Sequence, residues 1–142
     1  MSTKNWVQGK FNPQNPEKYI GDINNITYRS SWELYFNNYA DQNPHVIKWA
    51  NEEIAIEYYH PFYKEVRRYF PDYYIEYVDK YGTVHKEIIE VKPENQIFLS
   101  KKPSKNQKIT FEINMAKWTA CKRFCQMHGI EFRLLTEKQM FR

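Results

Sequence analysis

Asp72, Glu90 and Lys92 have the types and the spacing for phosphate chemistry. Asp72 stands in Tyr69-Phe70-Pro71-Asp72-Tyr73, and Glu90 stands 18 positions further on in Glu90-Val91-Lys92-Pro93. The segments Tyr69–Val78 and Thr83–Val91 are rich in β-branched and aromatic residues and read as two strands. Between them Gly82 suits the positive φ of a tight turn. With Lys80-Tyr81-Gly82 as the loop, Asp79 faces Thr83, and the numbers of opposed residues sum to 162. Asp72 then lies opposite Glu90, and period-two alternation puts Lys92 on the same face. A slip of one residue would send Asp72 to the other face. Two carboxylates held this close repel unless a proton or a cation sits between them. A hard divalent ion such as Mg²⁺ takes oxygen ligands and keeps waters. With Lys92 to hold a water or offset charge on a phosphate, the set fits phosphodiester hydrolysis by metal-activated water. The same spacing also fits an exposed cross-strand ion pair between Asp72 and Lys92 with Glu90 incidental, and the residues alone leave both readings open. Pro71 sits at the strand's mouth, where a ladder donor can be spared.

The elements around this pair follow from periodicity. Ser30 is a good N-cap, with Glu33 three residues later as in a capping box. Trp32, Tyr35, Phe36 and Tyr39 recur at helical spacing until Asn43-Pro44 stops the run. The stretch from His45 is mixed, and Ile54–Tyr59 reads as a strand ended by Pro61. After the hairpin, the lysine- and proline-bearing stretch over 92–108 reads as a basic loop. A second helix carries Phe111, Met115, Trp118, Cys121 and Cys125 on one stripe and ends at Gly129. Ile130-Glu131-Phe132-Arg133-Leu134-Leu135 alternates and closes the domain as a strand. The order helix, three strands, helix, strand predicts an α/β (α+β) fold with a mixed central sheet flanked by helices, its last strand parallel to a neighbour. Residues 1–28, rich in Asn, Pro and Gly, read as an extended arm packed through Trp6, Phe11 and Tyr19. Residues 29–142 read as one domain.

Charge is uneven along the chain. Residues 1–92 hold 11 Lys/Arg against 13 Asp/Glu, whereas residues 93–142 hold 10 against 4. The last third is therefore the candidate surface for a polyanion, with solvated charge as the plain alternative. Lys101, Lys102, Lys105 and Lys108 fit an electrostatic clamp on DNA phosphates. Arg67 and Arg68 precede the Asp72 strand and are candidate backbone contacts or ordinary surface charge. Arg29 could reach a phosphate or support the helix start. Asn114 and Lys117, off the apolar stripe, face either solvent or substrate. His45, His60, His85 and His128 have no ligand spacing, and His60 reads as a loop residue. Two thiols, Cys121 and Cys125, are too few for a zinc site and read as core residues in a reducing compartment. No apolar run approaches the ~20 residues that span a bilayer, and the N-terminus lacks a secretory segment, so a soluble cytoplasmic protein is expected.

Pro71-Asp72 followed by Glu90-Val91-Lys92 resembles the signature of the PD-(D/E)XK nuclease superfamily. Tyr28-Arg29-Ser30-Ser31-Trp32-Glu33, the segment 46–61 and the closing 117–137, with its Thr136-Glu137 pair, resemble the TnsA-like branch. The resemblance spans roughly residues 28–137 and implies a restriction-endonuclease-like αβββαβ core. It implies Asp72, Glu90 and the Val91 backbone carbonyl as metal ligands and Lys92 as the catalytic lysine. Glu33 would be a further ligand, directly or through water. It implies Mg²⁺, with Mn²⁺ as a substitute, and DNA as substrate. The lead-in Tyr19-Ile20-Gly21-Asp22 through Glu33 and the small size are similar to nucleases that tailed phages use in head maturation. That likeness implies work in the host cytoplasm or the virion, and partners among portal, head-vertex or packaging proteins. A head-completion or DNA-end-binding protein without turnover, and a transposase-like endonuclease subunit, are the competing readings.

Overall fold

The computed structural model of the chain describes residues 8–140, so Trp6 lies outside the described residues. Two short strands, β1 (Gly9–Lys10) and β2 (Thr27–Tyr28), pair with each other and bracket the arm. Helix α1 (Ser31–Gln42) starts where Ser30 Oγ accepts from the Glu33 N–H at 3.2 Å. The reciprocal half of the expected box is displaced: the Glu33 carboxylate accepts from the Arg29 N–H at 3.0 Å, one residue before the cap. The helix closes at Asn43, before Pro44. Its inward face is Glu33, Phe36, Asn37, Ala40 and Asp41, while Tyr35 and Tyr39 are exposed. That rotation is tolerated because the inward polar groups are bonded. Asp41 accepts from the backbone N–H groups of Gln14 (2.8 Å) and Asn15 (2.9 Å), which ties the arm down.

The strands that follow are β3 (Val46–Asn51), β4 (Ile56–His60), β5 (Glu65–Tyr69), β6 (Tyr73–Val78) and β7 (Val84–Val91). Then come the single turn α2 (Glu94–Ile97), the long helix α3 (Lys105–His128), β8 (Glu131–Leu135) and the short α4 (Glu137–Met140). The central sheet runs β3-β6-β7-β8, antiparallel in its first two pairings and parallel between β7 and β8. The predicted hairpin register holds: Tyr73 pairs with Ile89, and Val78 pairs with Val84. At the turn the Asp79 N–H donates to the Thr83 carbonyl at 2.9 Å, and Gly82 takes φ 82°. α3 begins with a full capping box, Ser104 with Gln107, and ends at Gly129 in the left-handed region.

Four expectations are corrected. The first strand of the central sheet is Val46–Asn51, not Ile54–Tyr59. The segment Tyr69–Val78 is two strands, because Phe70-Pro71-Asp72 carries the chain from one sheet to another. Pro71 has no N–H for a ladder, so the strand ends there. β4 and β5 form a separate two-stranded hairpin, whose inner face, with Ile56, Tyr58 and Tyr69, packs on α3. His60 is not a loop residue. It is buried at the end of β4, and its Nδ1 accepts from the Phe62 and Tyr63 N–H groups across the hairpin turn. The basic stretch after Lys92 also holds the single turn α2.

The sheet separates two cores. On the α1 side Phe11, Tyr19, Ile26, Phe36, Trp49, Tyr73, Ile75, Ile89 and Val91 pack together, so the arm is part of this core. On the α3 side are Ala50, Tyr74, Ile88, Cys121 and Cys125 with the β4–β5 hairpin. Both cysteines are free and buried. A buried polar lock joins α1 to the sheet: the Tyr73 hydroxyl donates to Asn37 Oδ1 (2.7 Å), and Asn51 Nδ2 donates to the Thr27 carbonyl (3.1 Å) and Asn37 Oδ1 (3.3 Å). No helix among the described residues is long and apolar enough to cross a membrane.

Candidate active site

The site forms where β6 begins and β7 ends. The hairpin register puts Asp72 directly opposite Glu90, and hydrogen bonds fix the pair. The Val91 N–H donates to Asp72 Oδ2 at 2.7 Å, and the Asp72 N–H donates to Glu90 Oε1 at 3.3 Å. The Asp72 carbonyl accepts from the Glu52 N–H at 3.1 Å. Lys92 Nζ stands 3.8 Å from Glu90 Oε2, and the Lys92 N–H donates to the Leu135 carbonyl of β8. The three residues that the sequence placed on one face are therefore together, and Glu90 is only 4% exposed.

Burial and mutual repulsion dominate the electrostatics. Burial, followed by the facing Glu90, pushes Asp72 up to about 8, against the opposing pull of the Val91 N–H and Lys92. Burial also raises Glu90, although Lys92 draws it back. The pair is thus a poor place for two negative charges and a good one for a shared proton or cation. Asp72 Oδ1 and Glu90 Oε2 accept no hydrogen bond among the described residues. Two carboxylates with free oxygens, beside a strand backbone, fit a small hard ion that retains several waters. Among the described residues no three His, Cys, Asp or Glu side chains stand close enough to share an ion.

Glu33 is buried in the first turn of α1. Burial raises its pKa, the Arg29 N–H lowers it, and Glu52 raises it. Its carbonyl accepts from the Tyr73 hydroxyl at 3.1 Å, which couples the first turn of α1 to β6. Sequence reasoning missed Glu52, in the left-handed region at φ 52°. Its carboxylate pairs with the Arg29 guanidinium, and its charge acts on both Asp72 and Glu33. Arg29 is thus engaged by an acid rather than left free. Trp118, read as part of an apolar stripe, directs its indole toward Glu90 and favours the ionised carboxylate. The apolar stripe gave no signal of this contact, because it put Trp118 on a different face from Asn114 and Lys117. Asn114 is buried, not solvated.

The other basic candidates lie on β5, on the loop before α3 and on α3 itself. Arg67 pairs with Glu65 at 2.9 Å and lies over the Tyr63 ring, 4.3 Å from its centre. Arg68 is exposed opposite Glu57. Lys101, Lys102, Lys105 and Lys108 are exposed along the loop before α3 and its first turn. Lys117 is half-buried, its ammonium 5.8 Å from the centre of Tyr58 and 5.7 Å from that of Tyr69.

An acid pair and a lysine at the mouth of a β-hairpin, in an αβββαβ frame, define a PD-(D/E)XK-type nuclease. Residues 43–137 match the family described as TnsA-like endonuclease N terminal. The chain belongs to this TnsA-like endonuclease family. It is 36% identical over 139 residues to the head completion nuclease of Enterobacteria phage T4, a match covering 91% of this chain and 90% of that protein. No solved structure matches the chain. The family match takes in Asp72, Glu90 and Lys92 but begins after α1, so Glu33 lies outside it.

Proposed function

We propose that this chain is a divalent-metal-dependent DNA endonuclease acting in phage head completion. The observation that carries the chemistry is the buried, mutually repelling Asp72–Glu90 pair with Lys92 beside it. The phage role rests on the name of the T4 relative and on the near-complete coverage of both chains. Asp72, Glu90 and the Val91 carbonyl would hold Mg²⁺, with Mn²⁺ as a substitute and Glu33 reaching the ion through water. Such an ion supplies charge neutralisation at the phosphoryl oxygens and a more acidic water. Asp72 is fixed by the Val91 and Glu52 N–H groups, so its free oxygen is held in place before substrate arrives. Lys92 places a positive charge where a phosphate and an attacking water would meet. Arg67, Arg68, Lys101, Lys102, Lys105 and Lys108 would contact DNA phosphates, which gives affinity without base reading. Portal, head-vertex or packaging proteins are the expected partners, in the infected cell or the virion.

The test is a cleavage assay on supercoiled, linear and branched DNA with Mg²⁺, Mn²⁺ or chelator. Cleavage that needs metal and is lost in Asp72→Ala and Lys92→Ala is expected. Metal-dependent cleavage that survives both substitutions would falsify the assignment.

A further inference from the structure

α3 brings a second set of polar groups to the same end of the sheet. β8 follows α3 and runs parallel to β7, so α3 runs back antiparallel to β7. Cys121 and Cys125 pack with Ile88 in one core. Further toward the start of the helix, Trp118 stands beside Glu90. Its Nε1 nevertheless closes no hydrogen bond among the described residues. Four helical residues advance about 6 Å, roughly two strand residues, so the next turn carries Asn114 toward the level of Lys92. Asn114 is 5% exposed, and its Nδ2 also has no acceptor among the described residues. Between these two orphan donors on the helix comes Lys117. It is seated over the Tyr58 and Tyr69 rings and feels the charges of both Lys92 and Glu90. Buried donors without acceptors cost free energy, and so do two neighbouring ammonium groups. An anion lying between them removes both costs. The β4–β5 hairpin explains the lysine's seat, because Tyr58 and Tyr69 both come from its inner face.

We propose that α3 supplies a phosphodiester-binding subsite beside Glu90 and Lys92. In it, Asn114 Nδ2 and Lys117 Nζ hold oxygens of the strand being cut, and Trp118 Nε1 steadies the Glu90 carboxylate. The proposal rests on the endonuclease reading of the Asp72–Glu90 pair. Asn114 and Lys117 are positioning residues: they orient the phosphate, while the acid pair and Lys92 act at the reacting bond.

The experiment compares wild type with Lys117→Met, Lys117→Arg and Asn114→Leu. It measures cleavage rate at saturating DNA, DNA affinity against salt, and thermal unfolding. Lys117→Met keeps the apolar stem over the tyrosines and removes the charge. Its saturated rate should fall about 10- to 100-fold, as expected for a misplaced reacting group. Its salt slope should drop by about one, and Lys117→Arg should recover most of the rate. Asn114→Leu removes the orphan donor, so it should slow cleavage while leaving the melting temperature unchanged or raised. A merely structural asparagine would lose stability instead. Wild-type cleavage with both Lys117→Met and Asn114→Leu within twofold of it overturns the subsite alone. A wild-type chain that cuts no DNA with either metal overturns the endonuclease reading and the subsite with it.

Discussion

Glu87 and Glu90 stand three residues apart on β7, are 3% and 4% exposed, and face opposite sides of the sheet. Glu87 looks toward α1 and is fully engaged. The Tyr77 hydroxyl donates to its Oε2 at 2.6 Å, and Arg133 of β8 reaches its Oε1 at 3.2 Å. Glu90 looks toward α3 and meets another acid, a lysine at 3.8 Å and an indole that closes no bond. The difference shows what kind of buried charge marks a site. A carboxylate with a donor on each oxygen belongs to the structure, while one buried against its own kind is waiting for something the fold does not provide.

The widest separation between the two acids is expected in cleavage. Glu90→Gln should lower metal-dependent cleavage by at least about 10³-fold, the several kcal/mol that a metal's charge stabilisation is worth. Glu87→Gln should stay within a few-fold of wild type in the same assay. Stability should reverse the order. Glu87→Gln disturbs two part-buried bonds to a buried carboxylate and should cost roughly 1–3 kcal/mol, read by denaturant unfolding without metal. Glu90→Gln should match or exceed wild type there, because repulsion with Asp72 is relieved.

The pH dependence sharpens the contrast further. Asp72 rises from the ordinary 3.8 to about 8 in the folded protein, so the folded state binds that proton more tightly than the unfolded chain. The stability it contributes is complete below the ordinary value and is lost as the pH rises through about 8. Melts in chelator should therefore fall over that window, and added Mg²⁺ should flatten the fall. Asp72→Asn should flatten it without metal. If the slope persists in Asp72→Asn, another group is responsible. The smallest effect is expected for Arg133→Ala. Its side chain is 48% exposed, so solvent screening holds the loss to about 1 kcal/mol or less.

The acid pair was legible because a hairpin is a local device. One glycine fixed the loop, the loop fixed the register, and the register brought Asp72 to Glu90. The first strand was not legible for the same kind of reason. Ile56–His60 alternates cleanly between buried and exposed, while Val46–Asn51 has a register shift between Val46 and Lys48 and three consecutive buried residues at its end. Periodicity therefore favoured the peripheral strand over the central one. Glu52 was invisible because its place depends on a left-handed backbone and a bond to a residue 20 positions away. Asn114 was assigned to solvent or substrate because a helix pattern does not say how wide its buried face is. The β4–β5 hairpin made that face wider by packing on α3.

The three backbone links at Asp72 have one further consequence. Its N–H, its carbonyl and one carboxylate oxygen are each tied to a different neighbour, so the residue has little freedom left to surrender. An acid held this firmly cannot swing outward to suit a visitor of larger radius. On the proposed reading, discrimination between Mg²⁺ and Ca²⁺ would be set by the stiffness of the hairpin mouth, since the larger ion would have to accept the spacing it finds.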